Sequence, residues 1–263
     1  MYKLHHLVAK HKIAAFFILT IFTCGVYTIL LMQLHIPTWA LIIVNLVLAF
    51  IIYAYVEYSP DPIMRKAFVE LNDNCNPYPL LEETEKLLTY KNSEVVHQTI
   101  LINHAVALRS IGEYQRNFDV LRTLNIDKAA GMLPINKVVY YNNLMDACGV
   151  LEKYEEADVW YSKMMLIHGD ITNQKQLETV AHTIQCAKAF HYYYEKDYQK
   201  ALIMLREAKA KDRRESVDSA MLCAKIGIAM GDIEMAKKEL QYVMENGNRL
   251  YAVTEAKNLY MQF

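Results

Sequence analysis

Hydropathy divides the chain into an uncharged head and a long amphipathic remainder. Residues 13–32 read IAAFFILTIFTCGVYTILLM and residues 39–56 read WALIIVNLVLAFIIYAYV, with no Asp, Glu, Lys or Arg between Lys12 and Glu57. Each run is close to the roughly 20 residues that carry a helix across the hydrocarbon core. A buried helix of a water-soluble domain seldom stays uncharged for so long. Pro37, in the link 33–38, favours a break between the runs. Trp39, Tyr53, Tyr55 and Tyr58 fall near run ends, where amphipathic rings settle at a bilayer interface. Residues 1–58 are therefore expected to form a transmembrane hairpin whose partner is the lipid bilayer. Lys3, Lys10 and Lys12 precede it, Arg65 and Lys66 follow it, and the link carries no basic residue. The positive-inside rule then places both termini in the cytoplasm. Ile21, Phe22 and Thr23 are not the small residues that a cleavable signal ending at Cys24 would need. Asn45, inside the second run, can bond to a neighbouring helix.

Beyond Val56 the pattern becomes helical and amphipathic. Ser59-Pro60-Asp61-Pro62 predicts a helix start with Asp61 as cap and Pro62 in the first turn. A loop is expected over 73–79 and a second short helix over 79–90, so that residues 59–92 form a linker with a degenerate helix pair. From Ser93 the sequence repeats. LINHAVALRSIGEYQRNFDVLRTL, YYNNLMDACGVLEKYEEADVWYSKM, QCAKAFHYYYEKDYQKALIMLREA and AMLCAKIGIAMGDIEMAKKELQYV align on Tyr114, Tyr154, Tyr198 and Ile233, spaced 40, 44 and 35 residues apart. Nine residues before each anchor stand Ala105, Met145, Ala189 and Ala224; three after stand Asn117, Ala157, Ala201 and Ala236; seven after stand Leu121, Tyr161, Leu205 and Leu240. Spacings of three, four and seven keep one helical face, with small residues where helices approach and larger ones that fill grooves. Gly112-Glu113, Glu152-Lys153, Lys196-Asp197 and Gly231-Asp232 supply polar turns inside each pair. Residues 93–263 are thus expected to stack as helix-turn-helix units, with a capping helix after Asn248.

The matching residues Ala105…Gly112-Glu113-Tyr114, Tyr154…Ala157…Tyr161, Ala189…Tyr198…Ala201…Leu205…Ala208 and Ala224…Gly231…Ala236…Leu240 resemble the tetratricopeptide repeat family. Asn117 and Met145 depart from its small positions. Intervals of 40 and 44 exceed its period of about 34. The extra residues are expected as loops near 129–132 and 170–173. The resemblance implies an all-α superhelical solenoid whose first helices line a concave groove for a protein or peptide partner. That lining would include Asn103, Arg109, Asn142, Asn143, Asp146, Phe190, Tyr193, Tyr194 and Lys225. Some family members clamp a C-terminal carboxylate, but Val139, Thr183 and Ala187 stand where basic partners would be needed. Other tyrosines at helical spacing read as repeat core.

Composition agrees with helices: more than half the residues are hydrophobic, yet there are only 8 Gly and 6 Pro. A net charge of −1 gives no basic face for nucleic acid. The five cysteines are scattered without a C-x-x-C, which favours free thiols in a reducing compartment over zinc or disulfides. No zincin, phosphate-loop or nucleophile-elbow motif occurs, so neither a cofactor nor an enzymatic activity is expected. His5, His6 and His11 read as juxtamembrane residues, because adjacent side chains leave a helix on different faces. His97 and His104 read as surface or groove residues. The basic run Arg206, Lys209, Lys211, Arg213, Arg214 reads as a solvated helix end. With no Arg- and Ser-rich presequence, a bacterial cytoplasmic membrane is the expected location. The sequence points to a membrane-tethered scaffold. An assembly subunit of a larger membrane complex, held through the hairpin, is the alternative.

Overall fold

The computed structural model describes residues 2–34, 36–129 and 131–263. His35 of the hairpin link and Ala130 of the first predicted loop lie outside the described residues. Among the described residues the regular structure is entirely helical. A short α1 (Tyr2–Lys10) precedes the two apolar helices α2 (Lys12–Gln33) and α3 (Thr38–Glu57), which pack against each other. The 22 residues of α2 rise about 33 Å at 1.5 Å each, enough to cross a core of about 30 Å. Both helices are long and apolar enough to span a membrane, and nothing of α2 is buried. The Asn45 amide donates to Thr28 Oγ1 at 3.0 Å, so its partner is the other helix of the same hairpin. At the open end, Lys12 Nζ lies 3.4 Å from Glu57 Oε2.

Only residues 58–60 separate α3 from α4 (Asp61–Asn74), which is followed by α5 (Tyr78–Leu88). Asp61 is the first residue of α4 rather than its cap, and its side chain makes no capping bond. The segment before the hairpin also differs from expectation. Ala9 of α1 is buried with Ile63, Met64, Leu87, Val96 and Ile100. His6 Nε2 lies 2.9 Å from Glu83 Oε2, with Tyr90 Oη 3.3 Å from the other ring nitrogen. This histidine is held by the helical domain, not left at an interface.

The predicted pairs form α6 (Glu94–Ser110) with α7 (Tyr114–Arg122), α8 (Pro134–Val150) with α9 (Tyr154–Gly169), α10 (Gln174–Tyr194) with α11 (Tyr198–Glu207), and α12 (Arg213–Met230) with α13 (Ile233–Asn246). Helix α14 (Tyr251–Tyr260) packs on α13. Two residues before each anchor the backbone turns left-handed, with φ of 87° at Gly112, 58° at Glu152, 62° at Lys196 and 74° at Gly231. Such a residue ends a helix by redirecting the chain while satisfying its last carbonyls. Ala105, Met145, Ala189 and Ala224 are buried, as are Asn117, Ala157, Ala201 and Ala236 opposite them. The unusual Asn117 uses its amide to bond the Ala105 carbonyl at 2.7 Å, bridging the two close-approach positions. The first long interval does become a loop, between Arg122 and Pro134. The second does not: only residues 170–173 separate α9 from α10, and the extra length goes into the helices, with α10 running 21 residues.

The inner helices α6, α8, α10 and α12 each touch the next, and α12 packs back against α4. Met64 of α4 meets α6, its sulfur accepting the Asn103 amide at 3.0 Å. The first pair therefore joins both ends of the array. Arg214 Nε donates to Asn72 Oδ1 (2.9 Å), the Asn248 amide to the Asn74 carbonyl (2.6 Å), and the Arg249 backbone N–H to the Cys75 carbonyl (3.1 Å).

Candidate functional site: the inner cavity

The closed arrangement leaves a cavity of about 780 Å³ among the inner helices. Every third or fourth residue of each helix returns to the same side, which brings Met64 and Phe68 of α4 opposite Cys186, Ala187 and Phe190 of α10. Val106, Val139 and Met221 complete a largely apolar wall. Its volume falls within the range of ordinary ligand sites.

A charged array crosses this wall. Arg109 Nη2 lies 2.9 Å from Asp146 Oδ2 and 4.0 Å from Asp218 Oδ2. Arg214 Nη1 lies 3.3 Å from the same Asp218 oxygen, and the Asn142 amide donates to Asp146 at 3.3 Å. Burial alone would weaken the Arg109 cation, but Asp146 and Asp218 outweigh it and raise its pKa further. Burial likewise pushes the Asp146 carboxyl up, against the pull of Arg109. Lys225 Nζ pairs with Glu255 Oε1 at 2.7 Å, bringing α14 to the rim.

On the α10–α12 side, His182 is buried, with Nε2 3.0 Å from Ser219 Oγ and 3.4 Å from Cys186 Sγ. Glu215 Oε2 stands 3.7 Å from Nδ1. Burial lowers the His182 pKa, against the pull of Glu215, and raises the Cys186 thiol to about 12. On α8, Asn143 is only 2% exposed; its amide bonds the Val139 carbonyl at 2.8 Å and its Oδ1 has no protein partner.

Seven of the nine residues named from the sequence line the cavity: Asn103, Arg109, Asn142, Asn143, Asp146, Phe190 and Lys225. Tyr193 and Tyr194 do not. Tyr194 meets Phe190 edge-on (ring centroids 4.4 Å apart) and Tyr154 at a tilt (5.0 Å), in the space that Gly149 of α8 leaves open. Tyr193 turns to Tyr198, 6.0 Å away, within its own pair. His104 is core rather than surface or groove, 7% exposed and 3.1 Å from Thr84 Oγ1, whereas His97 is exposed. Arg213 and Arg214 open α12 instead of ending a helix, and Arg214 faces the interior. The sequence held one sign of this, the i,i+4 pair Arg214–Asp218 on a helix with an alanine-rich face. Asp218, His182 and Cys186 were likewise not anticipated. The five cysteines are free thiols, two buried and three half-buried.

Searches against family models, curated proteins and solved structures give no match for this chain.

Proposed function

We propose that this chain is a membrane-tethered, tetratricopeptide-like scaffold that receives a segment of a protein partner in its inner cavity. The observation that carries the reading is the cavity itself, which combines apolar wall, amide side chains and fixed charges beside a lipid-compatible hairpin. Asn103 spends its amide on a thioether, a weak acceptor, and Asn143 has a buried oxygen without a partner. Both can bond a polypeptide main chain, while Phe68 and Phe190 offer apolar contact. The tether confines encounters to the membrane and raises the effective concentration of partners there. Lys3, Lys10 and Lys12 before the hairpin and Arg65 and Lys66 after it favour a cytoplasmic domain with both termini inside, in a bacterial cytoplasmic membrane. On this reading the chain is a binding protein and not an enzyme, takes no cofactor and does not bind nucleic acid.

A second reading, an assembly subunit held through its hairpin, draws on the exposed apolar surface of α2 and α3, where Phe22 and Phe50 are 72% and 71% exposed. In-cell crosslinking of the full chain beside an Asn103→Ala/Asn142→Ala variant separates them. Loss of the dominant partner in the variant supports the cavity; an unchanged partner set supports the hairpin.

A further inference from the structure

We propose that α4 is a gate on the inner cavity, worked by the membrane hairpin. The inference rests on the membrane reading of α2 and α3 but not on the identity of the cavity's occupant.

Three observations converge on this one helix. First, α4 is a wall of the cavity, through Met64, Arg65 and Phe68. Second, it is the closing piece: it packs on α12, and its polar links to the far end of the chain are hydrogen bonds and one ring contact. They are the Asn72–Arg214, Asn74–Asn248 and Cys75–Arg249 hydrogen bonds, with the Arg249 guanidinium 4.4 Å from the centroid of the Tyr78 ring. Beneath them Leu71 and Cys75 join Val217, Val243 and Leu250 in one apolar cluster. These partners are 142 to 174 residues apart in sequence, so the closure is not reinforced by chain neighbours. Opening at this seam leaves the helix pairs on either side, each joined by its own short turn, intact.

Third, α4 is coupled stiffly to the bilayer. The bend 58–60 is hydrogen-bonded throughout: Tyr58 N–H donates to Ala54, Asp61 N–H to Tyr58, and Met64 N–H to Pro60. Ser59 Oγ closes the same bend on the Val56 carbonyl at 2.8 Å. On the other side of the hairpin, α1 packs on α4. The helix is therefore held at both ends of the hairpin and has little freedom to absorb a tilt of α3. A change in hairpin tilt is transmitted to the seam, and the seam opens the cavity between α4 and α12.

Native thiols report each part. Cys75 is fully buried in the seam, Cys186 lines the cavity, and Cys148 is fully buried in a separate core. Both Cys75 and Cys148 are fully buried, so each labels only when its own surroundings open. The full-length chain is placed in phosphatidylcholine vesicles of short or long acyl chain, flotation confirms insertion, and maleimide labelling is read at each cysteine by mass spectrometry. Hairpins accommodate bilayer thickness by tilting. The expected result is that Cys75 and Cys186 labelling rates differ together, several-fold, between the two bilayers while Cys148 stays constant. Inserting Gly-Gly-Ser after Tyr58 removes the difference. Asn248→Gly/Arg249→Ala, both outside the cavity, raises Cys75 and Cys186 labelling in both bilayers. Equal Cys75 rates in the two bilayers, a parallel change at Cys148, or persistence of the difference after the insertion overturns the gate. Failure to float overturns the membrane reading as well, and is told apart by the flotation step.

Discussion

At residue scale the least forgiving group is Arg109. It pairs with the interior Asp146 carboxylate at 2.9 Å and stands 4.0 Å from Asp218, which Arg214 also pairs. Breaking a buried pair from one side costs about 3–5 kcal/mol, because the remaining charge stays buried. Arg109→Met is therefore expected to lower stability in that range in chemical denaturation, and adding Asp146→Leu should recover part of the loss. Asn117 is a milder case. Asn117→Ala removes one hydrogen bond but also an unpartnered buried oxygen, and it restores the residue found in the other three units. Its cost should stay within about 1 kcal/mol; a larger loss would mean the bridge to Ala105 holds the pair together. Histidines set the response to acid. Burial lowers His104, His182 and His168 below the ordinary 6.5. The folded chain thus binds these protons less readily than the unfolded chain. Stability should fall as pH drops through about 6.5 towards the depressed folded values, and His104→Gln should flatten that slope.

At element scale the pair turns carry a direct test. Gly112 and Gly231 take the left-handed conformation freely, whereas Glu152 and Lys196 bear the strain of a Cβ at the same position. Glu152→Gly and Lys196→Gly are expected to stabilise the chain by up to about 1 kcal/mol each. Gly112→Ala should destabilise it more than Gly231→Ala, since an added Cβ at 112 meets the Tyr251 ring. Melting of the four variants checks both signs. These elements were legible from sequence because their signals are local: small residues nine before and three after each anchor, and a polar turn between. The length of α10 was not, since residues added to a helix and residues added to a loop look alike where polar side chains such as Gln174, Lys175 and Glu178 remain exposed.

At the scale of the whole molecule, what escaped the sequence is the closure. Asn72 and Arg214 form a bond across 142 residues, and no periodicity announces such a pair. For the same reason Arg214 read as part of a solvated charge run and Cys186 only as a free thiol, while Asp218 and His182 drew no reading. Asn103, Arg109 and Asn142 were named because the tetratricopeptide resemblance assigns the lining to first helices, and they line the cavity. Tyr193 and Tyr194 were misplaced because α10 ends against α8, where Gly149 admits a ring.

The most direct test of the scaffold reading is site-specific photo-crosslinking in cells, with the photoreactive residue placed in turn at Thr183 in the cavity, Val159 on the outer surface of α9 and Phe50 in the hairpin. One dominant protein adduct is expected from Thr183 and none of the same protein from Val159. Adducts from Phe50 alone, with none from Thr183, would contradict the scaffold reading and make the hairpin the working surface of the molecule.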